Sequence, residues 1–258
     1  MNFKLRRTLE EAALESGKIL AKNFGGKYKI SSKLVVSNLV TEIDLRSEKK
    51  IISVIRKTFP DHSILTEESG ELIKDSEYQW IIDPIDGTVN YAHGIPITCV
   101  SIAIEMKGEV IMGVVYNPMG NEYFFAEKGK GAYLNGKKIF VSKNSSIEKS
   151  LLVTGFPYNS NTFKPNPADL FKKFLMKNVP IRRLGSAALD LCWTACGRFD
   201  GFWEYNLNAW DVAAGKLILE EAGGKLSNFA GKKYSIYMKE ILATNGKIHK
   251  NMLGVINS

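Results

Sequence analysis

The chain has 258 residues, 45% of them apolar and 24% charged, so it can bury a core large enough to fold without disulfide or metal staples, and its composition is far from that of disordered chains. No stretch approaches the ~18 uncharged apolar residues of a membrane span, since the run at residues 100–104 is soon broken by Glu105 and Lys107. The net charge of +8 comes from scattered lysines without a basic run of five or six, which favours a solvated basic surface over a nucleic-acid arm and adds a modest long-range pull on phosphorylated substrates.

The first residues, Met1 to Arg7 and then Thr8-Leu9-Glu10-Glu11, lack the apolar core and small-residue cleavage site of a secretory signal, so a cytoplasmic protein is expected. Leu9, Ala12, Ala13, Ser16, Ile19 and Leu20 fall near one face of a helix over residues 5–24, which Gly25-Gly26 ends. A second helix follows Thr41-Glu42-Ile43-Asp44 and stops at Phe59-Pro60. Short apolar strands at 63–66 and 79–82 each give way to acidic turns, Glu67-Glu68-Ser69-Gly70 and Asp83-Pro84.

Residues 99–106, 109–116 and 122–126 read as successive strands of an antiparallel meander, punctuated by Lys107-Gly108, Asn117-Pro118 and Gly129-Lys130-Gly131. The Asn- and Pro-rich segment 157–167 is the candidate for a mobile loop or a seam between two halves. Helical patterns resume at 170–176, 186–196 and 212–222, the last closed by Gly223-Gly224. Cys192 and Cys196 stand four apart in the middle one, as core residues would, and with Cys99 they make an odd number, so neither a disulfide framework nor a zinc site is expected. Helices mixed with mainly antiparallel strands predict a layered α/β fold instead of a strictly alternating βαβ chain.

The chemistry concentrates at Asp83-Pro84-Ile85-Asp86-Gly87-Thr88, where a fixed φ at Pro84 and a permissive one at Gly87 hold two carboxylates at a sharp turn. Carboxylates with a backbone carbonyl between them make the all-oxygen environment that Mg²⁺ prefers. A short helix beginning after Gly87 would present unpaired N–H groups to a phosphate. Each feature has a plainer reading: the hexapeptide as a capped surface turn, Glu67 and Glu68 as solvated side chains, and Asp211 as a helix-dipole partner. It is their combination that argues for a site.

Residues 80–90, Trp80-Ile81-Ile82-Asp83-Pro84-Ile85-Asp86-Gly87-Thr88-Val89-Asn90, and residues 210–215, Trp210-Asp211-Val212-Ala213-Ala214-Gly215, resemble the two signature segments of the inositol monophosphatase family, and Glu67-Glu68-Ser69 resembles its third. The likeness covers essentially the whole chain. It implies an αβαβα sandwich forming one catalytic unit over residues 1–258, divisible into a metal- and phosphate-binding half (1–140) and a substrate-pocket half (141–258). It also implies a Mg²⁺-dependent phosphatase, acting most readily on myo-inositol 1-phosphate, inhibited by Li⁺ and homodimeric. By the same resemblance Glu67, Asp83 and the carbonyl of Ile85 hold a first Mg²⁺, while Asp83, Asp86 and Asp211 hold a second. Glu68 helps with a further, weaker ion. Thr88 with Asp44 would orient and deprotonate the attacking water, and the backbone of Gly87 and Thr88 would bind phosphate oxygens. Gly185, Ser186, Ala187 and Glu204, with Asp211, would face the substrate hydroxyls. Two departures bear on the substrate: Asn208 stands where animal members often carry histidine, and Ser186 replaces a common threonine.

The rivals divide by class. A haloacid-dehalogenase-type phosphatase needs two aspartates two apart on a strand, whereas Asp83 and Asp86 are three apart. Fructose-1,6-bisphosphatase, histidinol-phosphate phosphatase and adenosine 3′,5′-bisphosphate phosphatase share the metal site and differ in the leaving-group pocket. A regulator that binds RNA or the transcription machinery through its basic surface is the non-enzymatic alternative.

Overall fold

The computed structural model describes residues 2–32, 39–157 and 166–258. Helix α1 (Asn2–Asn23) buries Leu5, Leu9, Ala12, Ala13, Ser16 and Leu20 along one stripe, as its three-and-four spacing requires. Helix α2 (Glu42–Thr58) starts at a capping box in which the Thr41 hydroxyl accepts backbone N–H groups and Asp44 reaches back to Thr41. A two-stranded ribbon, β1 (Ile30–Ser32) and β2 (Leu39–Thr41), leads into it.

The large sheet has eight strands: β3 (Ser63–Thr66), β4 (Gly70–Leu72), β5 (Tyr78–Asp86), β6 (Cys99–Met106), β7 (Glu109–Asn117), β8 (Glu122–Glu127), β9 (Ala132–Leu134) and β10 (Lys137–Lys138), in the order β10-β9-β8-β7-β6-β5-β3-β4. The expected meander is β6 to β8. A second sheet, ordered β12-β11-β13-β15-β14, is built from β11 (Leu152–Thr154), β12 (Ile181–Arg182), β13 (Gly201–Tyr205), β14 (Lys225–Ser227) and β15 (Glu240–Thr244). The remaining helices are α3 (Thr88–Ala92), α4 (Pro167–Leu175), α5 (Ala187–Ala195), α6 (Ala209–Glu221) and α7 (His249–Ile256).

Period-two alternation assigns each strand face to a layer. Trp80 and Ile82 of β5 pack with α1 and α2 residues such as Leu9 and Ile55. Ile81 points the other way, into a core shared by α5, α6 and Phe202 and Ala243 of the small sheet. The far face of that sheet, Leu152, Trp203 and Leu242, packs with Phe174 of α4 and Met252 of α7. The result is helix, sheet, helix, sheet, helix, the αβαβα sandwich. Helix α6 lies so close to β7 that a Cβ added to Gly113 would sit 2.9 Å from the Ala214 Cα. Among the described residues no helix is long and apolar enough to cross a membrane.

The strand that was expected to end at Asp83-Pro84 continues to Asp86, with a register irregularity between Asp83, opposite Ser101, and Asp86, opposite Cys99. Pro84, which cannot donate to a ladder, is accommodated at this bulge. The segment expected to be a loop or seam lies largely outside the described residues; at its end Asn166 caps α4 by accepting the Ala168 N–H at 2.8 Å.

Candidate active site

The bulge has a chemical consequence. In a regular strand, residues three apart point to opposite faces, but β5 spends three steps between Asp83 and Asp86 while β6 spends two between Ser101 and Cys99. The extra residue turns both carboxylates to the same side, and both line one cleft of about 440 Å³. Glu67, from the turn after β3, and Asp211, from the first turn of α6, line it too, as do Ile85, Gly87, Thr88, Gly185, Ser186, Ala187 and Glu204. Asp44 lies behind Thr88. Glu68 is not among the lining residues; its backbone N–H donates to the buried Glu48 carboxylate at 3.0 Å.

Each acid is oriented by its own donors. Asp83 Oδ1 accepts the Ile85 N–H at 3.0 Å. Asp86 Oδ2 accepts the Ser186 hydroxyl at 2.6 Å and the Ala188 N–H at 2.7 Å, which ties the bulge to the start of α5. The Ser186 proton is therefore given to Asp86 before any ligand arrives. Asp211 Oδ2 accepts the Asn208 N–H at 2.7 Å. Thr41 donates both its N–H, at 2.8 Å, and its hydroxyl, at 2.6 Å, to Asp44 Oδ2, leaving Asp44 Oδ1 to meet the Thr88 hydroxyl at 3.0 Å.

Burial and mutual repulsion work against ionisation here. Burial, then the charges of Glu67, Asp86 and Asp211, hold the Asp83 carboxyl well above the usual carboxylate range. Asp211 is raised in the same way, by burial against the Asn208 hydrogen bond and then by Asp86 and Glu67. Burial pushes Asp86 up to about 6 against its hydrogen bonds from Ser186 and Ala188. Asp44 is likewise pushed up to about 6 by burial, against hydrogen bonds from Thr41 and Thr88. Glu204 reaches about 8 through burial and the nearby Asp211.

These walls are an all-oxygen donor set that repels itself, the condition a divalent cation relieves. Among the described residues, no three acidic, His or Cys side chains close on one point as a preformed cage would. Carboxylate and carbonyl oxygens are the donors that a hard divalent cation would take.

Backbone freedom lets the walls approach. Gly87 has φ 86°, and a Cβ there would meet the Ile97 carbonyl oxygen at 2.8 Å. Gly155 backs directly onto Glu204, whose two carboxylate oxygens would lie 2.2 Å from an added Cβ. Sequence reasoning did not single out Gly155. It also passed over Asn90, whose amide donates to the Ile97 and Leu184 carbonyls at 2.8 and 2.7 Å and so joins α3 to the 183–187 loop. Asp190 was missed as well: it is buried, lines the cleft and has an Oδ1 without a partner. Asn90 falls inside the quoted motif, but neither Gly155 nor Asp190 carried a signal in the sequence.

A stability signature follows from these shifts. Asp44 and Asp86 rise from an ordinary 3.8, and Glu204 from 4.5, so the folded metal-free chain binds protons that the unfolded chain has released. Their contribution is greatest below the unfolded values and is lost as pH climbs through the folded ones. Across about pH 5 to about pH 8, the melting temperature of the metal-free protein is expected to fall, and Mg²⁺ to restore it at the alkaline end. A melting temperature that rises steadily over this window without metal would contradict the shifts.

Residues 2–257 match the family model described as "Inositol monophosphatase family". The chain is 44% identical over 248 residues to a Haemophilus influenzae protein named Nus factor SuhB, covering 95% of this chain and 92% of that one. It is also 44% identical over 243 residues to an inositol-1-monophosphatase of a Synechocystis species, covering 94% and 85%. Among solved structures, the extragenic suppressor protein suhB of Bartonella henselae superposes with a TM-score of 0.94 at 36% identity, covering 99% of each chain.

Proposed function

The chain belongs to the inositol monophosphatase family, and from that premise we propose that it is a Mg²⁺-dependent phosphomonoesterase that releases phosphate from a small polyol, myo-inositol 1-phosphate foremost. The observation that carries this reading is the meeting of Glu67 after β3, Asp83 and Asp86 of β5 and Asp211 of α6 in one cleft with Thr88 and its partner Asp44. Glu67, Asp83, Asp86, Asp211 and the Ile85 carbonyl would hold the ions. Residues 1–140 supply most of these groups, and residues 141–258 supply Asp211 and the polyol pocket.

Hydrolysis of a phosphate monoester needs about 20 kcal/mol or more of transition-state stabilisation. Bound Mg²⁺ would supply it by lowering the pKa of water and neutralising charge on the phosphoryl and leaving oxygens. The chain's own part is proton transfer and placement. Thr88 Oγ lies 2.9 Å from the Ile85 carbonyl and 3.0 Å from Asp44 Oδ1, and its single proton can pass to Asp44 as the hydroxyl oxygen takes one from the attacking water. An Asp44 pKa of about 6 suits a base working near neutrality. The water oxygen bonds to phosphorus, the bond to the polyol oxygen breaks, and that oxygen takes up a proton from solvent. No covalent enzyme intermediate is needed. The backbone N–H groups of Gly87 and Thr88 would receive phosphate oxygens, and Glu68 remains the candidate for a weaker third ion.

On the leaving-group side, burial and the nearby Asp211 hold the Glu204 carboxyl above the usual carboxylate range, and it could exchange a hydrogen bond with a hydroxyl. With Gly185, Ser186 and Ala187 it would line the side of the cleft that takes the polyol hydroxyls. Phosphate release from a panel of myo-inositol 1-phosphate, fructose 1,6-bisphosphate, histidinol phosphate and adenosine 3′,5′-bisphosphate tests this. The inositol ester is expected to give the highest kcat/KM, with no turnover once Mg²⁺ is chelated. A different preferred ester replaces the substrate, and metal-independent turnover removes the mechanism.

A second reading is favoured by the relatives named Nus factor SuhB: a transcription-complex role for the basic surface. Steeply salt-dependent RNA binding that survives loss of Asp83 would support it.

A further inference from the structure

Helix α2 carries three buried polar side chains, Asp44, Ser47 and Glu48, spaced so that they stack on one side of the helix. Each grips a different part of the cleft wall. Asp44 meets Thr88, and the Ser47 hydroxyl donates at 3.0 Å to the carbonyl of Pro84 in the bulge. Glu48, 3% exposed, accepts the Thr66 hydroxyl at 2.5 Å, the Glu68 N–H at 3.0 Å and the Ser69 hydroxyl. All three donors come from the four consecutive residues that contain Glu67, whose own N–H is bonded to the Ile82 carbonyl of β5 at 3.3 Å.

A carboxylate taken out of water is costly unless donors surround it. Glu48 is so surrounded, and it does not line the cleft. Its two oxygens accept from both sides of the turn, so the turn can neither rotate nor lift from α2 without leaving a buried charge unsatisfied. We propose that Glu48 is a positioning residue: it clamps the 66–69 turn to α2, fixes the Glu67 carboxylate against Asp83 and Asp86, and so sets the affinity of the cleft for divalent cations. The inference rests on the cation-binding reading of the cleft given above.

Glu48→Gln keeps the shape but leaves one acceptor oxygen where three donors converge. Ser69→Ala removes one donor from an exposed position and leaves the fold alone. Mn²⁺ binding to the full chain without substrate, followed by the resonance of the free ion, is the readout. Glu48→Gln is expected to raise the Mn²⁺ dissociation constant about 10- to 100-fold, as loss of groups that orient metal ligands does. Ser69→Ala is expected to raise it about threefold. The metal concentration giving half-maximal rate should move by the same factors, with kcat at saturating metal changed less than about threefold. A purely structural Glu48 would lower the melting temperature of the metal-free protein and leave the dissociation constant of the folded fraction unmoved. Unchanged Mn²⁺ affinity in Glu48→Gln overturns the proposal, and if that variant does not fold, unchanged affinity in Ser69→Ala does so. Wild-type protein that binds no Mn²⁺ would instead overturn the cation reading itself.

Discussion

Replacing Asp83 with Asn is expected to lower turnover by at least about a thousandfold at saturating Mg²⁺, since an ion's charge stabilisation is worth several kcal/mol and each 1.36 kcal/mol is tenfold. The fold should survive. Asn has nearly the same volume, and its carbonyl can still accept the Ile85 N–H that Asp83 Oδ1 accepts. Asp83 is 1% exposed and its carboxyl is held high by burial and by the neighbouring acids Glu67, Asp86, Asp211 and Asp44, so removing its charge relieves repulsion in the metal-free protein. The melting temperature without metal at neutral pH is therefore expected to hold or rise while activity disappears. Steady-state kinetics beside thermal melts separate the two effects, and near-normal kcat in the variant would contradict the assignment.

Thr88→Ala is expected to reduce kcat by about 100- to 1000-fold, the usual worth of a positioned proton acceptor, with little change in Mn²⁺ affinity. Thr88→Ser should recover most of the loss, because the hydroxyl alone bridges toward Asp44 Oδ1 and the Ile85 carbonyl. Asp44→Asn should cost a similar factor, and the double variant little more than either single one, since two groups passing one proton act as a unit. Losses that multiply in the double variant would show that the pair does not work as a relay.

The layers and most elements were legible because apolar spacing reports burial directly: α1, α2 and the β6 to β8 meander follow from it. So did the acids, each standing at the end of a strand or the start of a helix. What brings Asp83 and Asp86 to the same side was not legible, since an inserted residue shows only in the pairing of β5 with β6. Glu48 was hidden in Arg46-Ser47-Glu48-Lys49-Lys50, a charged run that reads as a solvated helix face until α2 is packed against the 66–69 turn. Gly155 needed the approach of β13 to explain it, because its lack of a side chain makes room for Glu204, 49 residues on. Ser186 lines the cleft, and its hydroxyl is also bonded to Asp86, a pairing across one hundred residues that spacing cannot reveal.

The most direct test is anomalous diffraction from crystals of the protein grown with Mn²⁺, an oxygen-preferring stand-in for Mg²⁺. The expected result is a pair of peaks in the cleft, within about 2.5 Å of carboxylate oxygens of Glu67, Asp83, Asp86 and Asp211, with Asp83 touching both. A cleft without manganese, or manganese bound only at other acids, would contradict the account.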